Sequence, residues 1–240
     1  MDEIWLLGCG GGGGWLAPAV AKMLPKDTTL VLWDGDTVEK KNLDRQFYTE
    51  QDIGKSKAVS MAVRLSLENL QTKIVAKPEY FDYRLLDIGK LIKAERNVRW
   101  IFLAVDNHVA RLSGLSAADD IGARCIVGAN EYTSAESYYY QPGWKDTNLD
   151  PRTYYPEIVT DKRNDPLRPH CTGEEAAATP QLAMANMMAA GYMTWLWWFW
   201  SQEAPTLGED MTEFPVKVMN NFAKTRTFTY REMERGEKNV

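Results

Sequence analysis

The sequence predicts an α/β protein, a mostly parallel sheet with helices on both faces, extended by antiparallel strands. Three observations lead there. Short apolar runs alternate with helical patterns over roughly the first half of the chain. A bend holding six glycines in seven positions, Gly8–Gly14, joins the first run to the first helix. After Val127 the alternation stops, and a tyrosine-rich run and a hairpin-like ending take its place.

Ile4–Leu7 reads as a buried strand, and Leu16, Val20, Met23 and Leu24 recur at helical spacing. A strand at Thr29–Trp33 leads through a polar loop to a helix near Lys55–Leu70. Strand Lys73–Lys77 precedes a helical stretch near Leu85–Ala94, and strand Arg99–Ala104 precedes one near His108–Ala117. Strand Ala123–Val127 closes the series. Strands separated by helices of this length form right-handed βαβ units and a parallel sheet. The run "AESYYY" adds a strand; residues 142–179 are proline-rich, lack periodicity and predict a long irregular crossover loop. "PVKVMNN" and "TRTFTYR" predict a hairpin. The expected organisation is a single domain over 1–240: an alternating core that carries the glycine bend (1–141), the crossover loop (142–179), then an interface helix and C-terminal hairpin (180–240).

Ala176–Gln202 contains no charged residue and ends in "WLWWFW". Its length could span a bilayer, but Gln181, Asn186 and Thr194 interrupt it, its aromatics crowd one end, and no Lys/Arg cluster flanks it. Thr179-Pro180 suits the start of a soluble helix. A buried or subunit-interface helix is expected, and no membrane association.

Composition narrows the function classes. A hydrophobic fraction of 45% in 240 residues supports a full core, and a net charge of −5 without basic runs argues against nucleic-acid binding. Cys9, Cys125 and Cys171 are widely spaced and form no CxxC pair, so neither a zinc site nor a disulfide scaffold is expected. "MDEIWLL" does not resemble a signal peptide, and a cytoplasmic location is the expectation.

Gly8, Gly10 and Gly13 satisfy GxGxxG, and Asp34 ends the second strand, where such an acid bonds a ribose hydroxyl. That fits NAD, FAD or ATP alike. The next segments select among them. "DGDTVEKKNLDRQ" (Asp34–Gln46) places two acids, an asparagine and an arginine behind the ribose position. "DIGKSKA" supplies Lys57 at the head of a helix, and "AVDNHVAR" places Asp106 just past a strand's end with Arg111 five residues on. Strand C-termini of a parallel sheet gather on one edge. There Arg45 and Lys57 serve as cations for phosphate oxygens and Asp106 as a hard ligand for Mg²⁺. A dehydrogenase needs none of the three.

These motifs resemble the ThiF/MoeB family, which includes the ubiquitin-activating enzymes and their bacterial relatives. The family's GxGGxG appears at Gly8–Gly13, DxDxVxxxNLxRQ at Asp34–Gln46, GxxK at Gly54–Lys57 and DNxxxR at Asp106–Arg111. The resemblance implies a Rossmann-like ThiF/MoeB-type fold and an enzyme that uses ATP and Mg²⁺ to adenylate a C-terminal carboxylate. Its usual partner is a ubiquitin-like or sulfur-carrier protein ending in Gly-Gly, with a conjugating enzyme in some pathways, and its usual state is a homodimer. Carried over, the nucleotide set is Gly8, Gly10, Gly11, Gly13, Asp34, Asp36, Asn42, Arg45, Gln46, Lys57, Asp106 and Asn107. Asp34 would hold the ribose, Asn42, Arg45 and Lys57 the phosphates, and Asp106 the metal, with Arg111 orienting Asp106. The catalytic set is Arg45, Lys57 and Asp106, joined by Cys171 where a thioester follows. Cys171 sits beside His170 in the crossover loop, a position that can favour a thiolate, whereas Cys9 and Cys125 read as buried fillers. Many members bring an N-terminal arginine from the second subunit to the γ-phosphate; here Arg152, Arg163 or Arg168 could substitute. An NAD(P)-binding oxidoreductase and a catalytically silent scaffold member are the alternatives.

Overall fold

The computed structural model describes residues 2–68, 72–131, 133–161, 182–202, 215–221 and 226–229. Strand β1 (Asp2–Leu7) lies between β2 (Thr29–Trp33) and β4 (Asn97–Leu103), both parallel to it. β3 (Lys73–Lys77) pairs with β2, and β5 (Arg124–Asn130) with β4, again parallel. β6 (Ser134–Tyr140) runs antiparallel to β5, and β7 (Lys217–Asn221) and β8 (Arg226–Thr229) continue antiparallel. Among the described residues the order is β3-β2-β1-β4-β5-β6-β7-β8.

The order reverses at β1. The chain moves outward through β2 and β3, then returns to place β4 on the other side. Such a switch point opens a crevice beyond the strand C-termini. Two segments leave the sheet there side by side: the Gly8 N–H donates to the Trp33 carbonyl (2.8 Å) and the Ala104 N–H to the Leu7 carbonyl (2.9 Å).

Helices α1 (Gly11–Met23), α2 (Lys57–Ser66), α3 (Ile88–Lys93) and α4 (His108–Ile121) fall in the connections between the parallel strands. The crossover region is more regular at its start than its sequence suggests. Asp150 caps a short helix, α5 (Pro151–Tyr154), by accepting from the Arg152 N–H at 2.9 Å, and α6 (Glu157–Thr160) follows. Residues 162–181, including Thr179 and Pro180, lie outside the described residues.

The uncharged segment forms α7 (Ala183–Gln202), which packs on α1, β5 and β6. Its inner face carries Ala185, Asn186, Ala189, Ala190, Met193, Leu196, Trp197 and Trp200. Trp200 stacks on Tyr139 at 4.0 Å with Trp144 edge-on, and its Nε1–H donates to the Pro215 carbonyl at 2.8 Å. Burying a ring of that size removes about 150–250 Å² from water, worth about 4–6 kcal/mol of transfer free energy. This accounts for Trp200, while Trp195 and Trp198 at the same end of α7 stand exposed. Among the described residues no helix is long and apolar enough to cross a membrane.

Candidate active site

The glycine bend is built by close approach. Gly8 has φ +91°, and a Cβ there would lie 2.5 Å from the Ala104 carbonyl oxygen, so no other residue fits where β1 and β4 part. A Cβ on Gly13 would collide with the Gly8 carbonyl, which is how α1 comes so near the strand end. Helix α1 opens at Gly10 with no side-chain cap and no acid in its first turn. Its leading N–H groups therefore suit an anion.

Asp34 ends β2 and is 8% exposed. It ties the bend to the second strand, Oδ2 accepting from the Cys9 N–H at 2.7 Å and Oδ1 from the Asp36 N–H at 2.8 Å. Burial raises its pKa, outweighing the attraction of Lys57 and these two hydrogen bonds. Beyond it, residues 36–38 pair with 54–57: the Lys57 N–H reaches the Asp36 carbonyl at 3.0 Å, and Val38 and Lys55 pair at 2.8 Å. That pairing sets Lys57 beside Asp36, Nζ to Oδ2 at 2.8 Å. Lys57 is only 7% exposed, in the first turn of α2. A buried cation at a helix N-terminus opposes the helix dipole, the kind of local cost found at functional positions. For Asp36, burial pushes upward, but the Lys57 hydrogen bond and the Tyr80 hydroxyl outweigh it and hold the carboxylate below its ordinary range.

Arg45 follows a single 3₁₀ turn (Lys40–Asn42) and bonds within its own loop, to Asp44 at 2.9 Å and to the Lys41 carbonyl. The Arg45 carbonyl accepts from Trp15 Nε1–H (3.2 Å) and from Asn186 Nδ2–H (3.0 Å). Asp106 stands exposed just beyond β4; Asn107 caps α4 through the Ala110 N–H at 2.8 Å.

A cavity of about 540 Å³ joins these groups, a size suited to a small ligand. Gly8, Gly10, Gly11, Gly12, Asp34, Asp36, Arg45, Gln46, Lys57, Asp106 and Asn107 all line it. Two nucleotide-set residues stand behind the wall. Gly13 packs against Gly8, and buried Asn42 uses its side-chain oxygen to accept from the Glu39 N–H at 2.9 Å. Arg111 lines the cavity, but its guanidinium reaches the Val105 carbonyl (3.3 Å) and His108 Nδ1 (3.4 Å) and shows no bond to Asp106. Arg152 is held elsewhere, by Asp119 at 2.7 Å and Asp150 at 2.9 Å, and does not line the cavity. Arg163, Arg168 and Cys171 lie outside the described residues. Cys9 and Cys125 are fully buried, and burial raises both thiol pKa values far above the usual range.

The family model of the ThiF family matches residues 2–239. The chain belongs to the ThiF family. Among solved structures, this ThiF-family chain is similar to PaaA at 20% identity and a TM-score of 0.65, covering 95% of this chain and 72% of that one. It is similar to E. coli MccB solved with ATP at 16% identity and TM-score 0.66, and to the microcin C7 biosynthetic enzyme MccB in complex with N-formylated MccA at the same values. Each covers 95% of this chain, while this chain spans 62% and 63% of those MccB chains, less than two thirds of their length. At such identities the likeness is one of fold. No curated protein matches the sequence.

Among the described residues, the ThiF-family site contains three buried polar atoms with no protein partner, Trp33 Nε1, Gln46 Oε1 and Arg111 Nε, all on residues that line the cavity. Such atoms are costly unless a ligand or water meets them. Among the described residues no group of three or more His, Cys, Asp or Glu could hold a metal by itself. A Mg²⁺ at Asp106 would therefore complete its shell from phosphate and water, its usual habit. Sequence reasoning missed both ends of the cavity. On the β2–β3 side stand Trp33, Tyr80 and Phe81; on the β5–α7 side, Asn130, Glu131, Asp161, Ala189 and Met193. Asn186, buried in an apolar helix, was the one visible signal for the second group.

Proposed function

We propose that this protein adenylates the C-terminal carboxylate of a small peptide or protein tail, using ATP and Mg²⁺. The observation that carries the reading is the convergence of Arg45, Lys57 and Asp106 with the glycine bend on one cavity at the sheet's switch point. Trp33, Tyr80 and Phe81 form the apolar end suited to a base, with Asp34 next to it for the ribose. The uncapped start of α1, Arg45 and Lys57 receive phosphate oxygens. Bound Mg²⁺ supplies neutralisation of the triphosphate charge. The carboxylate oxygen bonds to the α-phosphorus as the α–β anhydride bond breaks and pyrophosphate leaves; the chain's part is to hold these groups in line and exclude water, since the attack meets like charge but needs no general base.

The far end, with Gly128, Ala129, Asn130, Ala189 and Met193, suits an extended tail. The MccB structures with MccA support a peptide as acceptor, and the ThiF/MoeB resemblance supports a ubiquitin-like or sulfur-carrier protein ending in Gly-Gly. A second copy of the chain would meet the outer face of α7, where Met184, Met187, Trp195 and Trp198 stand exposed. A thioester on Cys171 would follow adenylation. ATP–pyrophosphate exchange tests the reading: exchange dependent on a free C-terminal carboxylate supports it, and its absence with both a Gly-Gly-ended protein and a panel of free-carboxylate peptides overturns it. Unchanged transfer to the acceptor by Cys171→Ala removes the thioester step.

A further inference from the structure

Asn186 is a fully buried carboxamide near the start of α7, on an otherwise apolar helix face. Its neighbours come from three separate parts of the cavity wall. Its Nδ2–H donates to the Arg45 carbonyl at 3.0 Å, and its Oδ1 accepts from Asn130 Nδ2–H, also at 3.0 Å. The same carboxamide lies 2.5 Å from where a Cβ on Gly11 would stand. It therefore touches the cation loop, the end of β5 and the first residue of α1 together.

The polarity of this chain of bonds is forced. A main-chain carbonyl only accepts, so the Asn186 atom facing Arg45 must be Nδ2. Its Oδ1 then faces Asn130, which must present Nδ2. A carboxylate or hydrocarbon at 186 cannot satisfy both ends. The Arg45 carbonyl also accepts from Trp15 Nε1–H at 3.2 Å, so the loop backbone is clamped between α1 and α7 just where the guanidinium departs. Burying an amide costs free energy unless it is bonded; an apolar side chain would pack here at no such cost, were packing all that position 186 had to do.

We propose that Asn186, oriented by Asn130, is a positioning residue that fixes the Arg45 loop against the glycine bend and so sets the spacing of the phosphate site. This rests on the ATP reading above and adds to it a residue outside the four sequence motifs. Asn186 touches no phosphate in this scheme; it acts through the backbone of Arg45 and through the space left by Gly11. The base and ribose end, with Trp33, Asp34 and Tyr80, makes none of these bonds.

That separation gives the test. Binding of MgATP and of adenosine is measured by calorimetry for the wild type, Asn186→Ala, Asn186→Asp and Asn130→Ala, each first shown folded by circular dichroism and thermal melting. Asn186→Ala loses both buried bonds, of which the one to the Arg45 carbonyl acts on the phosphate site, and is expected to weaken MgATP binding about five- to tenfold. Asn186→Asp should lose at least as much, since its carboxylate would face the Arg45 carbonyl. Adenosine affinity should stay within about twofold. Asn130→Ala should cost less, and Asn130→Ala combined with Asn186→Ala should be no weaker than Asn186→Ala alone, because the two act in one chain. MgATP affinity unchanged in Asn186→Ala overturns the inference, as does an equal loss for adenosine, which would mark a purely structural role. A wild type that binds adenosine but not MgATP, or neither, fails the ATP reading itself and is told apart by that measurement alone.

Discussion

The two ends of the cavity are built on opposite plans. The side proposed for the nucleotide, ribose and phosphate positions together, is shorter-range in sequence and tightly paired: Asp36 on Lys57, 21 positions on, Asp34 on the bend, 25 positions back, and residues 36–38 on 54–57. The far end is assembled from β5, α6's trailing residue Asp161 and α7, which lie far apart in the chain. Its lining includes small and apolar groups such as Gly128, Ala129, Ala189 and Met193. The contrast teaches which function each end can hold constant. Fixed charges set in place before binding suit one invariant ligand, while a wall gathered from separate elements can change with the acceptor.

The sharpest way to break that comparison is at Asp106, which lies between the two ends. Asp106→Ala should lower ATP–pyrophosphate exchange on the order of 10³-fold with the thermal midpoint little changed, since the side chain is exposed. Retained exchange would remove the metal assignment and leave the phosphate end without its hard ligand. The next largest effect is on the fold. Gly13→Ala drives a methyl group into the Gly8 carbonyl, backbone against backbone. The expected loss is about 3 kcal/mol, at the upper end for overpacking, or a melting point lower by about 6–12 °C for a chain of this size. Gly12→Ala meets nothing within 4 Å and should leave the melting point within about 2 °C, so scanning calorimetry on the pair separates glycines that build the bend from one that only borders it.

The same contrast explains what was legible in the sequence. The parallel sheet could be read because it rests on local patterns, short buried apolar runs spaced by helical ones, and the glycine bend and the acid ending β2 stand out in the same way. Lys57 could be singled out because it heads a helix in the GxxK segment; its pairing with Asp36, 21 positions away, is not written in that spacing. Asn42 belongs to the same motif, yet its role in closing the 3₁₀ turn depends on which way one side chain faces, which spacing does not encode. Arg111 was expected to orient Asp106; its guanidinium instead reaches the Val105 carbonyl and His108. Asn186 and Arg45 are 141 positions apart, and nothing in either segment announces the other. α5 and α6 were hidden by the prolines around them, although Asp150-Pro151 is a serviceable helix start.

The smallest effect concerns charge at the phosphate end. Lys57 and the Tyr80 hydroxyl hold the Asp36 carboxylate below the ordinary value of 3.8. A carboxylate with a depressed folded pKa stabilises the fold above its unfolded pKa, and that contribution is lost as pH falls through the folded value. The difference in melting temperature between wild type and Asp36→Asn should therefore be constant from about pH 5 to 8 and close below about pH 4. Asp36 is partly exposed, so solvent screens the pair and the gap should be small, about 1–2 °C. A gap that widened as pH fell would mean Asp36 is destabilising when charged, and Lys57 would then be held in the cavity wall by something other than this pair. A gap that persisted unchanged to pH 3 would assign the effect to the lost Tyr80 contact or to the shape of the turn, and the fixed-charge account of the phosphate end would rest on Arg45 alone.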